Sequence, residues 1–149
     1  MHKEYFWLYF KLNTKGAATI PATTKHPDIT TPVGLKSAIE QWLEDDKAEE
    51  IEVIDLQDQS ALADFMIIAS GRSSRQVIAM ASKLKDRLSA LGVKSIRTEG
   101  QNSGDWVIVD VGDVIIHLFR PEVRDFYNIE QMWKMGAPLA VVHNSGIRA

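Results

Sequence analysis

The sequence predicts a single compact α/β domain, with helices lying mainly on one face of a sheet of about five strands. Three observations carry this reading. The chain has 149 residues, enough for one packed core and too few for two. Segments of helical period are interleaved with apolar or alternating runs of strand length. One of those runs, Phe65-Met66-Ile67-Ile68-Ala69-Ser70, is apolar on both faces, which marks a strand inside a sheet rather than at its rim.

Composition narrows the function classes. Hydrophobic residues make up 45% and charged residues 25%, ordinary globular values that exclude a wholly disordered, collagen-like or coiled-coil chain. The absence of cysteine excludes a disulfide framework, a zinc ribbon and a thiol nucleophile, and it suits a reducing compartment. Seventeen basic against twenty acidic residues give a formal −3, which argues against a general polyanion binder held by counterion release. Residues 1–32 hold Lys3, Lys11, Lys15 and Lys25 against Glu4 and Asp28, so the acidic excess falls in the remainder. No apolar run approaches the roughly 18 residues that span a bilayer. The nearest, Tyr5-Phe6-Trp7-Leu8-Tyr9-Phe10, is too short and too aromatic for a secretory segment. The expectation is a cytoplasmic protein without a membrane partner.

Along the chain, residues 11–32 are rich in Thr, Ala, Pro and Lys, and Pro21, Pro27 and Pro32 interrupt any period. With the aromatic hexad they read as an N-terminal arm, residues 1–32, extended or disordered and dispensable. Thr31-Pro32 places a cap before proline, and Leu35, Ile39, Trp42 and Leu43 recur at helical spacing, predicting a helix over 33–47. Ile51 to Leu56 alternates as a strand, with Ile51, Val53 and Leu56 inward. After the central strand, Gly71 ends the run, and Ser73 with Gln76 forms a capping box. The helix it opens buries Val77, Ala81, Leu84, Leu88 and Leu91 and stops at Gly92. Lys94 to Glu99 reads as a further strand. Past the hairpin described next, Pro121 starts a short helix with Val123, Phe126 and Tyr127, and Asn128 with Gln131 caps another with Ile129, Met132 and Trp133. The domain is therefore expected over 33–135, followed by a tail, 136–149, with no assigned role.

The most informative segment is the hairpin. Trp106–Val111 and Val114–Phe119 flank Gly112-Asp113, a Gly-X pair suited to a two-residue type II′ turn. That register pairs Val111 with Val114 and Trp106 with Phe119, and paired residues share a face. One face is then Val107, Val109, Val111, Val114, Ile116 and Leu118, aliphatic throughout and fit to lie under the helices. The other is Trp106, Ile108, Asp110, Ile115, His117 and Phe119, too apolar for water and too polar for an ordinary core. It is a surface built to be covered, either by a partner or by another segment of the same chain.

Other chemistry is weakly signalled. Ser70-Gly71-Arg72-Ser73-Ser74-Arg75 lies at a strand-to-helix junction that could hold a phosphate, but a capped helix start needs the same Gly and Ser, and neither a Walker loop nor GxGxxG is present. Asp110, Asp113 and His117 are the only metal candidates with any placement, and Asp113 is better explained as a turn former. His26 and His143 have no geometric support. No GxSxG elbow accompanies the serines, no carboxylate pair stands out, and Met66, Met80, Met132 and Met135 read as core filler. No catalytic residue, metal or cofactor is expected.

Four ordered blocks resemble one family: Ala63-Asp64-Phe65-Met66-Ile67-Ile68; Ser70 to Gln76; Glu99-Gly100 with Asp105 to Phe119; and Arg124-Asp125-Phe126-Tyr127-Asn128-Ile129-Glu130 with Trp133. Together they are similar to the ribosomal silencing factor family, also called Iojap or RsfS, over about residues 35–135. The resemblance implies a mixed sheet of nucleotidyltransferase-like topology without the catalytic carboxylates. It implies a non-enzymatic repressor of translation that binds the large ribosomal subunit through large-subunit ribosomal protein fourteen and blocks joining of the small subunit. It also implies self-association as a homodimer and no direct sequence-specific nucleic acid contact. Trp106 matches the family's tryptophan at that interface, so the partner-binding residues expected are Trp106, Ile108, Asp110, Ile115, His117 and Phe119. The alternative is a nucleotide-binding or nucleotidyltransferase-like enzyme using the loop at Gly71 and Asp110.

Overall fold

The computed structural model describes residues 28–134, so the aromatic hexad, most of the arm and the tail lie outside the described residues. In chain order the elements are α1 (Pro32–Asp45), β1 (Glu49–Asp55), β2 (Phe65–Ser70), α2 (Ser74–Ala90), β3 (Arg97–Glu99), β4 (Trp106–Asp110), β5 (Val114–Phe119), α3 (Pro121–Tyr127) and α4 (Ile129–Lys134). The strands form one sheet in the order β1-β2-β5-β4-β3. β2 and β5 run parallel and every other neighbouring pair is antiparallel, so the sheet is mixed.

Local chemistry explains most boundaries. The Thr31 hydroxyl accepts from the Gly34 amide and opens α1 with proline in its first turn. The Ser73 hydroxyl accepts from Gln76 N at 3.1 Å as expected, while Gln76 Oε1 reaches one residue past the cap and accepts from Arg72 N at 2.7 Å, a variant of the capping box. α2 ends where Gly92 turns to φ 93°, a left-handed position that glycine adopts without strain. The hairpin has the expected register, Trp106 opposite Phe119 through Asp110 opposite Ile115. Gly112 takes φ 91° at the first turn position, the positive value expected of glycine there, and Val111 N donates to Val114 O at 3.1 Å. The Asp113 carbonyl accepts from the amides of Asp64 and Phe65, which ties the turn to the start of β2.

Two packed clusters result, one on each face of the sheet. On one face α1 and α2 bury Leu35, Ile39, Leu43, Val77, Met80, Leu84 and Leu88 against the aliphatic side of the sheet, including Val107, Val109, Val114, Ile116 and Leu118. On the other face α4 lays Ile129 and Trp133 on Ile54, Leu56, Ala63, Met66, Ile68 and Phe119, with Val123 and Tyr127 of α3 partly buried against them.

Several expectations need correction. β1 starts earlier than Ile51 and carries a bulge between Glu49 and Glu52. Ile51 and Val53 point to the α1–α2 core as expected but are only partly covered, while Ile54 and Leu56, on the opposite face, are buried against Ile129 and Trp133. β3 is three residues long rather than six, because Lys94 and Ser95 are exposed before it. Ile29, assigned to the arm from the sequence, packs partly against the core. Asn128 closes α3 in the left-handed region, φ 48° and ψ 47°, and leads directly into α4.

Candidate functional site

The outer face of the hairpin is divided by the second helical layer. α3 and α4 cover the half of that face formed by β1, β2 and the end of β5, leaving part of β4 and the start of β5 open. Phe119 is fully buried and His117 is 8% exposed. Trp106, Ile108, Asp110 and Ile115 are half-buried. Of the six expected contact residues, these four reach the surface. Phe119 and His117 instead form the bed on which Trp106 rests.

Trp106 is held on three sides. Its ring stacks on Phe119 with centroids 4.9 Å apart and 27° between planes, close to the offset arrangement aromatic pairs prefer. Tyr127 of α3 meets it at 4.9 Å with a 45° tilt. The indole Nε1 donates to His117 Nδ1 at 2.9 Å, which fixes the imidazole proton on Nε2. Burial holds the His117 pKa down from 6.5 to about 4, because desolvation penalises the charged ring. Behind Trp106, Gly100 has φ 85°, and a Cβ there would lie 2.1 Å from the Trp106 carbonyl oxygen. Only glycine lets the preceding loop pass this close.

The rim is charged. Arg120 pairs with Asp105 at 2.7 Å and with Glu122 at 2.7 Å, bracing the base of the hairpin. Asp105 and Glu122 keep 47% and 63% of their side-chain surface in solvent. Asp113 and Asp125 are also exposed. Asp110 is partly committed locally, since its Oδ1 accepts from Gly112 N at 2.9 Å. Next to Tyr127, Phe126 is 81% exposed and meets it edge-on at 5.1 Å. Trp106, Tyr127 and Phe126 thus form a continuous aromatic track from strand to helix.

Sequence reasoning missed what holds this track in place. Arg124, buried at 5% exposure, donates from Nη1 to Glu50 O at 2.7 Å and to Ser70 Oγ at 2.9 Å, and from Nε to both carboxylate oxygens of Glu130 at 3.1 Å. Glu52 lies 3.8 Å from its Nη2 and is also paired with Lys134. The bulge in β1, where Glu50 adopts φ 48°, aims a carbonyl at the guanidinium. A signal existed in the helix pattern: Arg124 sits one position after Val123 and three before Tyr127, where an arginine interrupts an otherwise inward-facing stripe.

The other candidate loci are structural in form. At Ser70–Arg75 the amides of Arg72 and Gln76 are engaged in the capping box, and a Cβ on Gly71 would lie 2.8 Å from the Met80 methyl and 2.9 Å from Val77, so glycine there serves helix–strand packing. Asp110 and His117 direct their hydrogen bonds to Gly112 and Trp106, and among the described residues no group of three or more potential ligands is gathered for a metal. Also among the described residues, no helix is long and apolar enough to cross a membrane.

Comparison with known proteins places these features in context. Residues 30–146 match the family model described as ribosomal silencing factor during starvation. A ribosomal silencing factor RsfS of Zymomonas mobilis is 54% identical over 105 residues, covering 70% of this chain and 79% of that protein. One from Chromobacterium violaceum is 45% identical over 98 residues, covering 66% and 80% respectively. A crystal structure of a Chromobacterium violaceum protein superposes with a TM-score of 0.68 at 38% identity, covering 70% of this chain and 87% of that one.

Proposed function

Because the chain belongs to the ribosomal silencing factor family, a family of translational regulators, we propose that it binds the large ribosomal subunit through large-subunit ribosomal protein fourteen and sterically prevents the small subunit from joining. Its docking surface is the open part of the hairpin face, with Trp106 at the centre and Ile108 and Ile115 beside it. The observation that supports this best is the half-buried Trp106, held by Phe119, Tyr127 and His117 with its remaining surface in solvent. Held aromatic side chains of this kind dominate protein interfaces, because they offer large apolar area at little entropic cost. Around that face Asp105 and Glu122 share Arg120, Arg97 stands opposite Asp110, and Asp113 and Asp125 are exposed; the remaining acidic excess favours a basic protein partner over a phosphate backbone. Steric exclusion needs no catalytic group, and the reading requires none. The protein acts in the cytoplasm, where the subunits meet, and the same face pairs two copies when no ribosome is available.

The test is a subunit-joining assay. Large subunits incubated with the full chain before small subunits are added should fail to form joined ribosomes, and the chain should sediment with the large subunit alone. Sedimentation with small subunits, or normal joining at saturating protein, would overturn the proposal.

A further inference from the structure

We infer that His117 is a positioning residue of the docking surface: its acceptor nitrogen holds the Trp106 indole in the single orientation that presents its free face to a partner. This rests on the docking reading above and adds to it the means by which the anchor is preorganised.

Stacking alone leaves one freedom of the indole undetermined. Phe119 beneath the ring and Tyr127 beside it restrict where the indole plane lies, but π-contacts are tolerant of a ring flipped about its own axis. A directional bond to one edge removes that freedom. His117 and Trp106 are diagonal neighbours on one sheet face, since Trp106 pairs with Phe119 and Ile108 with His117. This spacing brings a long side chain within reach of its diagonal partner, and the bond closes at 2.9 Å.

The residue type at position 117 is otherwise hard to explain. Its row neighbours across the sheet are Ile68 and Ile108, and a polar ring at 8% exposure is disfavoured unless a hydrogen bond compensates it. An aliphatic or phenyl side chain would fill the same space. What histidine adds is an acceptor at the indole N–H. The ring stays neutral at physiological pH because of its burial, so that acceptor is available. Fixing the anchor in advance removes an ordering cost from binding.

The test uses the full chain with purified large subunits, together with the indole ¹⁵N–¹H signals of the free protein. His117→Phe keeps the bulk and removes the acceptor, whereas His117→Asn restores an acceptor near the Nδ1 position. The expected result is a loss of about fivefold in affinity for His117→Phe, in line with one lost hydrogen bond, with recovery to within about twofold for His117→Asn. The Trp106 indole proton, identified by its disappearance in Trp106→Phe, should shift and exchange faster with water in His117→Phe but not in His117→Asn. Adding His117→Phe to Trp106→Phe should cost no further affinity, because the bond it removes is already gone. Unchanged affinity in His117→Phe, beside a clear loss in Trp106→Ala, overturns this inference and leaves the docking reading intact. Unchanged affinity in Trp106→Ala overturns both.

Discussion

The Arg124 guanidinium donates to the Ser70 hydroxyl at 2.9 Å, across 54 positions of sequence, and joins the short α3 helix to the end of β2. With its bonds to Glu50 O and Glu130 it satisfies a buried cation on several sides. Such an arrangement is costly to break from one side, because the remaining groups keep their desolvation penalty. Arg124→Met should therefore destabilise the fold by about 3 kcal/mol in urea unfolding. Arg124→Lys should recover only part of that, since an ammonium cannot reproduce the planar fork. A loss under about 1 kcal/mol for Arg124→Met would mean that the network contributes little to holding α3.

Trp106 and Val109 lie on opposite faces of one strand, and they should separate binding from stability. Trp106→Ala is expected to weaken large-subunit binding roughly thirtyfold or more, the effect of removing a central aromatic anchor worth about 2 kcal/mol. It should also cost about 1 kcal/mol of stability, because the indole shields Phe119 and His117 and its stacking is lost. Val109 is fully buried under the helices, so Val109→Ala should cost about 2 kcal/mol of stability and leave affinity unchanged in the folded fraction. Paired unfolding and binding titrations check both. The reverse pattern would place the docking surface on the α1–α2 side of the sheet.

These variants show where sequence was a sufficient guide. The hairpin register was legible because a two-residue Gly112-Asp113 loop admits one pairing, and a single pairing assigns every side chain to a face. The start of α2 was legible because Ser73 and Gln76 form a local motif whose partners lie within four residues. The partition of the outer face was not. α3 and α4 have seven and six residues, too few turns for a periodic stripe to show which strands they cover. Phe119 and His117 therefore read as surface when they are the support beneath Trp106. For Arg124 the helix pattern marked an inward-facing position but not its acceptors, because Ser70 and Glu50 stand 54 and 74 positions away.

Removal of residues 1–27 is expected to leave both the cooperative melt and large-subunit binding unchanged. The described core, from Ile29 through Trp133, contains both packed clusters, and every residue of the proposed docking surface lies within the same span. Loss of binding with an intact melt would assign the aromatic hexad to the interface.

Ionic strength should matter only modestly. Around the proposed surface Asp105, Glu122, Asp110, Asp113 and Asp125 outnumber Arg120 and Arg97, an excess that would steer a basic protein partner and repel a phosphate backbone. Raising salt should weaken binding with a shallow slope in a log–log plot, mainly through the association rate. A steep slope, of the kind many phosphate contacts produce through counterion release, would move the principal ligand from ribosomal protein to ribosomal RNA.

The buried imidazole gives the fold an acid dependence whose sign is fixed. His117 titrates at about 4 in the folded chain against 6.5 when exposed, because burial disfavours its charged form. Between those values the unfolded chain takes up a proton that the folded chain does not, so stability increases with pH across that window. The contribution is fully present above 6.5 and is lost as pH falls toward 4, with an upper bound of about 3 kcal/mol. Protonation also turns Nδ1 from acceptor to donor, so the Trp106 bond is lost in the same step. His117→Asn has no proton to gain, and its unfolding free energy should change less between pH 7 and pH 4.5 than that of the wild-type chain. Measuring urea midpoints at those two pH values for both proteins isolates the difference, since the carboxylates are common to both. Parallel pH profiles would show that the imidazole is not held neutral by the fold.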